Sequence, residues 1–290
     1  MDGARIAAEN LSVWREAAAQ NRELRHLQIG QMAKEVAAAT DAVAEPSPSL
    51  LPNVLRERDD DATPLEDRVA ERLAFCKALL AAAPHLLPPS ISGKEPPAAP
   101  RVAVLSGPVF SLALSRFFAP SAKVQPVILS SLTELMEETG AGNTDFALIP
   151  IEDTKGTRLL RFYEEFDRLE LRILCLCRVP TENEGRGMQF ALITRLYDLP
   201  LPHDATPLLE CRLSCEDPRM VQELLAAAHE AGLALRRVDS LPDPYLEDSI
   251  AYFTVFFAPP TACALFELYL AICLPRAAVI GHCYRLPTAN

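Results

Sequence analysis

A short apolar run, Phe146 to Ile151, stops abruptly at Glu152-Asp153-Thr154-Lys155-Gly156. The run is rich enough in branched residues for a buried strand, and a cluster of turn and cap formers follows it. Beyond that cluster Leu159, Leu160, Tyr163 and Phe166 recur at the spacing of one apolar helix face, which predicts a helix over 158–169. Strand, polar turn and helix make half of a βαβ unit. The exposed amides at such a helix start, together with the helix dipole, suit an anion. A chain with this unit needs partner strands on both sides of it.

The flanking sequence supplies them. Strands are expected over 101–106, 123–129, 171–179 and 189–195, with helices over 109–118 and 131–139 and Ser130 as the N-cap of the second. This alternation argues for a parallel or mixed sheet covered by helices. After a proline-rich connector, 197–207, the order becomes βαββαβ, with strands over 208–215, 233–238, 250–258 and 277–284. The helices between them fall at 218–230, opened by Pro218 and stopped by Gly232, and at 262–274. That order is ferredoxin-like. Residues 4–40 and 65–83 read as helix, the second with Val69, Leu73, Cys76 and Leu80 on one side. Proline-rich segments at 46–64 and 84–100 forbid continuous helix there.

Composition excludes several functions. The net charge of −11 argues against general nucleic-acid binding, which rests on clustered Lys and Arg. No run approaches the roughly 18 apolar residues of a membrane span, and the charged N-terminus lacks the apolar core of a signal peptide. A cytoplasmic location follows as the expectation. The eight cysteines form no C-x-x-C pair and lie in apolar segments; Cys175 and Cys177 share one strand face. Reduced, buried thiols are expected, and His282-Cys283 is too isolated for a zinc site. No P-loop, dinucleotide fingerprint or nucleophile constellation is present, so no cofactor and no metal are expected.

Pro150-Ile151-Glu152-Asp153-Thr154 resembles the Pro-Ile-Glu-Asn-Ser/Thr turn of prephenate dehydratases, and Leu105-Ser106-Gly107-Pro108-Val109-Phe110-Ser111 resembles that family's opening Gly-Pro-x-Gly-Ser-Phe-Ser. The second Gly and first Ser of the latter are missing. The resemblance spans roughly 101–286. It implies a catalytic Thr-Arg-Phe, but the matching positions hold Met188, Gln189 and Phe190: Met188 donates no proton, Gln189 carries no charge and Phe190 packs. It also implies a second lobe of about 80 to 90 residues after the first, where only 180–187 stand. Asp153 in place of Asn sets a second negative charge beside Glu152, which Lys155 would partly offset.

In the bifunctional enzymes of this family a helical chorismate mutase domain comes first and an ACT regulatory domain last. Residues 1–84, with the break at 46–64, resemble a remnant of the former; Arg22-Glu23-Leu24 with Lys34, and Arg56-Glu57-Arg58-Asp59, match loosely, but Glu66 to Ala83 has no Gln. A linker, 85–100, leads to the truncated dehydratase-like α/β lobe, 101–196, of periplasmic-binding-like type. Residues 208–290 resemble the ACT domain. The family's phenylalanine-binding positions correspond to Arg219-Met220-Val221 and Asp239-Ser240-Leu241-Pro242, and the closing Gly281 with Cys283-Tyr284 is similar to Gly-Cys-Tyr. Arg219 in place of Gly adds bulk but could pair an acidic ligand. The resemblance thus implies a non-catalytic relative, dimeric through its ACT-like domain, that binds an amino acid or carboxylate metabolite. The candidate ligand residues are Glu152, Asp153, Thr154, Lys155, Arg219, Asp239 and Ser240. The alternative is an active enzyme converting chorismate or prephenate toward phenylpyruvate.

Overall fold

The computed structural model describes residues 20, 23–25, 27–38, 64–84, 94–119, 121–153, 155–159, 162–181, 184–199, 205–243 and 249–286. Thr154, Arg22, Arg56 to Asp59, 46–63 of the proline-rich break, 85–93 of the linker and 200–204 of the connector lie outside them. The chain divides into two compact units.

The larger unit comprises 89–221, 232–263 and 276–290. Its frame is a nine-stranded sheet. In chain order the strands are β1 (Arg101–Leu105), β2 (Gln125–Leu129), β3 (Phe146–Glu152), β4 (Arg172–Thr181), β5 (Glu184–Thr194), β6 (Thr206–Cys215), β7 (Ala234–Pro242), β8 (Ile250–Phe257) and β9 (Ala277–Arg285). They lie side by side as β2-β1-β3-β5-β4-β9-β6-β8-β7. The first three are parallel, β4 and β5 form a hairpin, and β6 to β9 pair antiparallel with one another. A parallel pairing of β4 with β9, Cys175 opposite Tyr284, joins the two halves into one sheet. The βαββαβ order expected after the connector is present, with spatial order 4-1-3-2.

Side-chain alternation divides this sheet into two apolar faces. On one, Ala147, Ile149, Ile151, Ile173, Ile193, Phe253 and Val255 pack with Leu135, Tyr163 and Phe166. On the other, Phe146, Leu148, Leu192 and Phe190 pack with Ala113, Phe118 and both Cys175 and Cys177. Phe190 is fully buried and meets Phe110 edge-on with ring centres 5.2 Å apart, the packing role expected of it.

Two local expectations need correction. The cap of the helix Leu132–Gly140 is Ser131, whose hydroxyl accepts from the Glu134 amide, while Ser130 donates both its amide and its hydroxyl to the Glu134 carboxylate. Ser and Glu at that spacing form a reciprocal cap, so the cap sits one residue later than read. The helix expected over 158–169 begins only at Tyr163. Arg158 instead forms an isolated antiparallel bridge with Glu152, and the Leu159 amide donates to the Ile151 carbonyl. The chain therefore doubles back on β3 before it coils, and the described helix starts at Tyr163, away from the turn.

The smaller unit comprises 1–88, 222–231 and 264–275. Its described residues are helical: 27–38, Leu65–Ala82 and parts of Arg219–Glu230 and Pro260–Cys273. Val69, Leu73 and Cys76 of the expected stripe are buried, whereas Leu80 is half-buried and Phe75 and Leu79 are buried beside the other three. Buried Glu223 accepts from Arg72 and, at 2.8 Å, from the Tyr269 hydroxyl. Among the described residues no helix is long and apolar enough to cross a membrane.

Candidate functional site

Beyond the edge of the first apolar cluster the same sheet face carries charge. Glu152 closes β3, and a register shift between Pro150 and Glu152 brings it opposite Gln189 of β5. Both are buried. Arg178 of β4 donates to Glu152 at 2.5 Å and to the Gln189 side-chain carbonyl at 2.9 Å. Arg237 of β7 donates to the other Glu152 oxygen at 2.8 Å and grips Asp239 through two bonds of 2.6 and 3.0 Å. Glu152 is thus clamped between two guanidiniums from opposite halves of the sheet.

A second group lies beside the first. Glu210 of β6 is completely buried and accepts from Arg158, which also donates to the Tyr163 hydroxyl at 2.5 Å and stands 3.5 Å from Asp239. Burial raises the Glu210 carboxyl above its ordinary range, against the opposing pull of Arg158. Burial works against the Arg158 charge, yet Glu210, Tyr163 and Asp239 together hold it firmly protonated. Burial, reinforced by Glu210, pushes the Tyr163 phenol far up. Three acids, Glu152, Glu210 and Asp239, therefore face three arginines, Arg158, Arg178 and Arg237, and the group is neutral as a whole.

The turn residues follow a separate logic. The Asp153 carboxylate accepts from the Thr157 amide at 2.7 Å and the Lys155 amide at 2.9 Å, and these amides hold its pKa below the usual value. Asp153 thus folds the turn and does not share Glu152's surroundings, so the repulsion expected between them is relieved by direction as well as by the arginines. Gly156 stands at φ 83°, a conformation that glycine adopts without strain. Lys155 is exposed. Arg219 is exposed too and pairs with neighbouring Asp217 at 2.8 Å. Ser240 lies on the exposed side of β7 and Met188 is half-buried.

Of the sequence candidates, the fold brings together Glu152, Asp239 and Gln189; Asp153, Lys155, Arg219 and Ser240 stand outside the network. The residues that sequence reading missed are Arg158, Arg178, Glu210, Tyr163 and Arg237. Glu210 carried a signal, as a lone acid between Leu209 and Cys211 in an apolar strand. Chemically, the arrangement fixes and orients charge. Every carboxylate in it faces a guanidinium.

No protein-family model matches the chain, and no curated protein matches it. Solved structures do. A prephenate dehydratase from Streptococcus mutans superposes with a TM-score of 0.56 at 16% identity, over 65% of this chain and 100% of that one. GqqA, described as a novel type of quorum quenching acylase, gives 0.50 at 17%, over 64% and 96%. A prephenate dehydratase from Arthrobacter aurescens, in complex with L-Phe, gives 0.48 at 13%, over 65% and 92%. The fold is prephenate-dehydratase-like.

Proposed function

We propose that this chain is a non-catalytic relative of prephenate dehydratase, linked to phenylalanine biosynthesis, that binds a small amino acid or carboxylate metabolite and pairs with a second copy through its ACT-like C-terminal part. The observation that carries the reading is the engagement of Glu152 and Gln189 by Arg178 and Arg237. Dehydration and decarboxylation of a dianionic acid need a proton donor at the departing hydroxyl and a cation free to hold a carboxylate in a dry cleft. Here Met188 and Gln189 stand where the resemblance calls for Thr and Arg, and the arginines that reach the place already hold protein carboxylates.

The backbone supports the same reading. β4 passes to β5 with only residues 182 and 183 between the strands, at the point where the resemblance calls for an inserted lobe. The match to the Streptococcus mutans protein runs the full length of that chain, so the hairpin, and not the comparison, marks the proposed truncation. A single wall does not exclude water from a bound substrate.

The test is direct. Purified protein incubated with prephenate, and separately with chorismate, is followed by phenylpyruvate absorbance; no turnover above the uncatalysed rate is expected. Calorimetry with phenylalanine, tyrosine and glutamate, alongside light scattering for mass, tests binding and pairing. Enzymatic production of phenylpyruvate would overturn the proposal in favour of an active dehydratase.

A further inference from the structure

Two helices of the smaller unit meet at one buried carboxylate oxygen. Glu223 Oε1 accepts from Arg72 of the helix Leu65–Ala82 and, at 2.8 Å, from the Tyr269 hydroxyl of the helix Pro260–Cys273. One turn further along each helix stands a cysteine: Cys76 four residues after Arg72, and Cys273 four residues after Tyr269. Residues four apart lie on the same helix face. Both cysteines therefore belong to the faces that already converge on Glu223. Burial marks the same faces: Cys76 and Leu79 on the first helix, Phe266 and Tyr269 on the second, are enclosed. All of these residues lie within the smaller unit.

The electrostatic surroundings name the same neighbours. The largest influence on the Cys76 thiol is a hydrogen bond with the Cys273 side chain, which together with burial pushes its pKa far up, while Arg72 pulls it down. Burial raises the Tyr269 phenol, and Cys273 and Glu223 add to that rise. The two cysteines differ in access. Cys273 is half-buried, and the other seven cysteines, Cys76 among them, are buried. A reagent arriving from solvent meets Cys273 first.

We propose that Cys76 and Cys273 are a reversible oxidation site, in which Cys273 takes the attack on a small-molecule disulfide and Cys76 resolves it. In the first step Cys273 gives up its proton and its thiolate attacks one sulfur of the reagent. The reagent's S–S bond breaks, a mixed disulfide forms, and the other half leaves as a thiolate that takes up a proton. In the second step Cys76 gives up its proton and attacks the Cys273 sulfur. The mixed bond breaks, the Cys76–Cys273 bond forms, and the second half leaves as a thiol. Two protein thiols are oxidised, the reagent is reduced to two thiols, and the two protons lost by the cysteines balance the two gained by the released halves. The sulfurs need only close from hydrogen-bonding range to about 2.0 Å. Arg72 favours the Cys76 thiolate on which the second step depends. The product staples the helix Leu65–Ala82 to the helix Pro260–Cys273 across most of the chain's length, which restricts the unfolded state.

The test uses the full chain. It is incubated with oxidised glutathione at pH 8, the remaining thiols are alkylated, and the digest is read by mass spectrometry. A peptide joining Cys76 to Cys273 should appear, six of the eight thiols should stay free, and dithiothreitol should restore all eight. The oxidised chain should also melt at a higher temperature than the reduced one. Cys76→Ala should stop after the first step and hold one glutathione on Cys273, whereas Cys273→Ser should take up none while folded. A native chain that stops with glutathione on Cys273, one that keeps all eight thiols, or one that joins a different pair would each overturn the proposal. These three outcomes are read on the native chain, so they stand whether or not Cys76→Ala folds.

Discussion

Replacing Arg158 by Met would strand Glu210. The two side chains are 3% and 0% exposed, so neither charge is relieved by water. At contact distance, about 3 Å, and an effective dielectric constant of about 20, their attraction amounts to roughly 5 kcal/mol. Taking each ion out of water costs several kcal/mol. The pairing is also single-pointed: among the described residues Arg158 Nη1 and Glu210 Oε2 have no hydrogen-bond partner, at about 1 to 3 kcal/mol for each orphaned atom. Intact, the pair is close to break-even. Cut in half, it should cost about 3 to 5 kcal/mol, while Arg158→Met with Glu210→Leu should recover most of that loss. The pH dependence has a definite sign. Burial already lifts the Glu210 carboxyl, and removing Arg158 removes the main group that lowers it. A carboxyl with a raised folded-state pKa contributes stability below its ordinary value and loses it as pH rises through the folded value. The Arg158→Met deficit should therefore be small near pH 5 and large near pH 8. Urea unfolding followed by circular dichroism at both pH values measures it. A deficit equal at the two pH values, or a double variant no better than the single, would refute the reasoning.

Other outcomes follow from the same packing. Burial pushes the Cys175 and Cys177 thiols up to about 12, and all the cysteines except half-buried Cys273 are enclosed; a thiol reagent at pH 8 should find at most one fast-reacting group in the folded chain and all eight after unfolding. Gly187→Ala should cost about 2 kcal/mol or more, because φ there is +66° and a Cβ would meet the Val179 carbonyl oxygen at 2.3 Å; thermal unfolding checks it. Tyr163→Phe removes the hydroxyl that Arg158 donates to and should cost about 1 to 3 kcal/mol in urea unfolding. Phenolate absorbance should show Tyr163 and Tyr269 silent through the ordinary tyrosine range in the folded chain, since burial raises both.

Much of the fold was legible because its signals are local. The Phe146 to Ile151 run, the stop at Gly232 and the βαββαβ order each depend on residues within a few positions of one another. The site was less legible for the same reason. Arg158 belongs to a helical apolar pattern on paper, yet a bridge to Glu152 and a buried partner on β6 outweigh that propensity. Two register shifts, at Pro150 to Glu152 and at Leu235 to Arg237, set the facing of Glu152 and Arg236. Spacing predicts facing only while strands stay in step, and a shift of one residue reverses it. The ion network joins β3, β4, β5, β6 and β7, and no short window of sequence contains two of its cross-strand partners.

That geometry bears on what the polar groups can do. A catalytic site needs charge that the protein leaves unpaired until substrate arrives, and such charge must be shielded and oriented by neighbours. Here the arginines are shielded and oriented by their neighbours, and protein carboxylates occupy them. Glu152 sits between Arg178 and Arg237 much as a bound dicarboxylate would, and Asp239 accepts two bonds from one guanidinium in the geometry of a captured carboxylate.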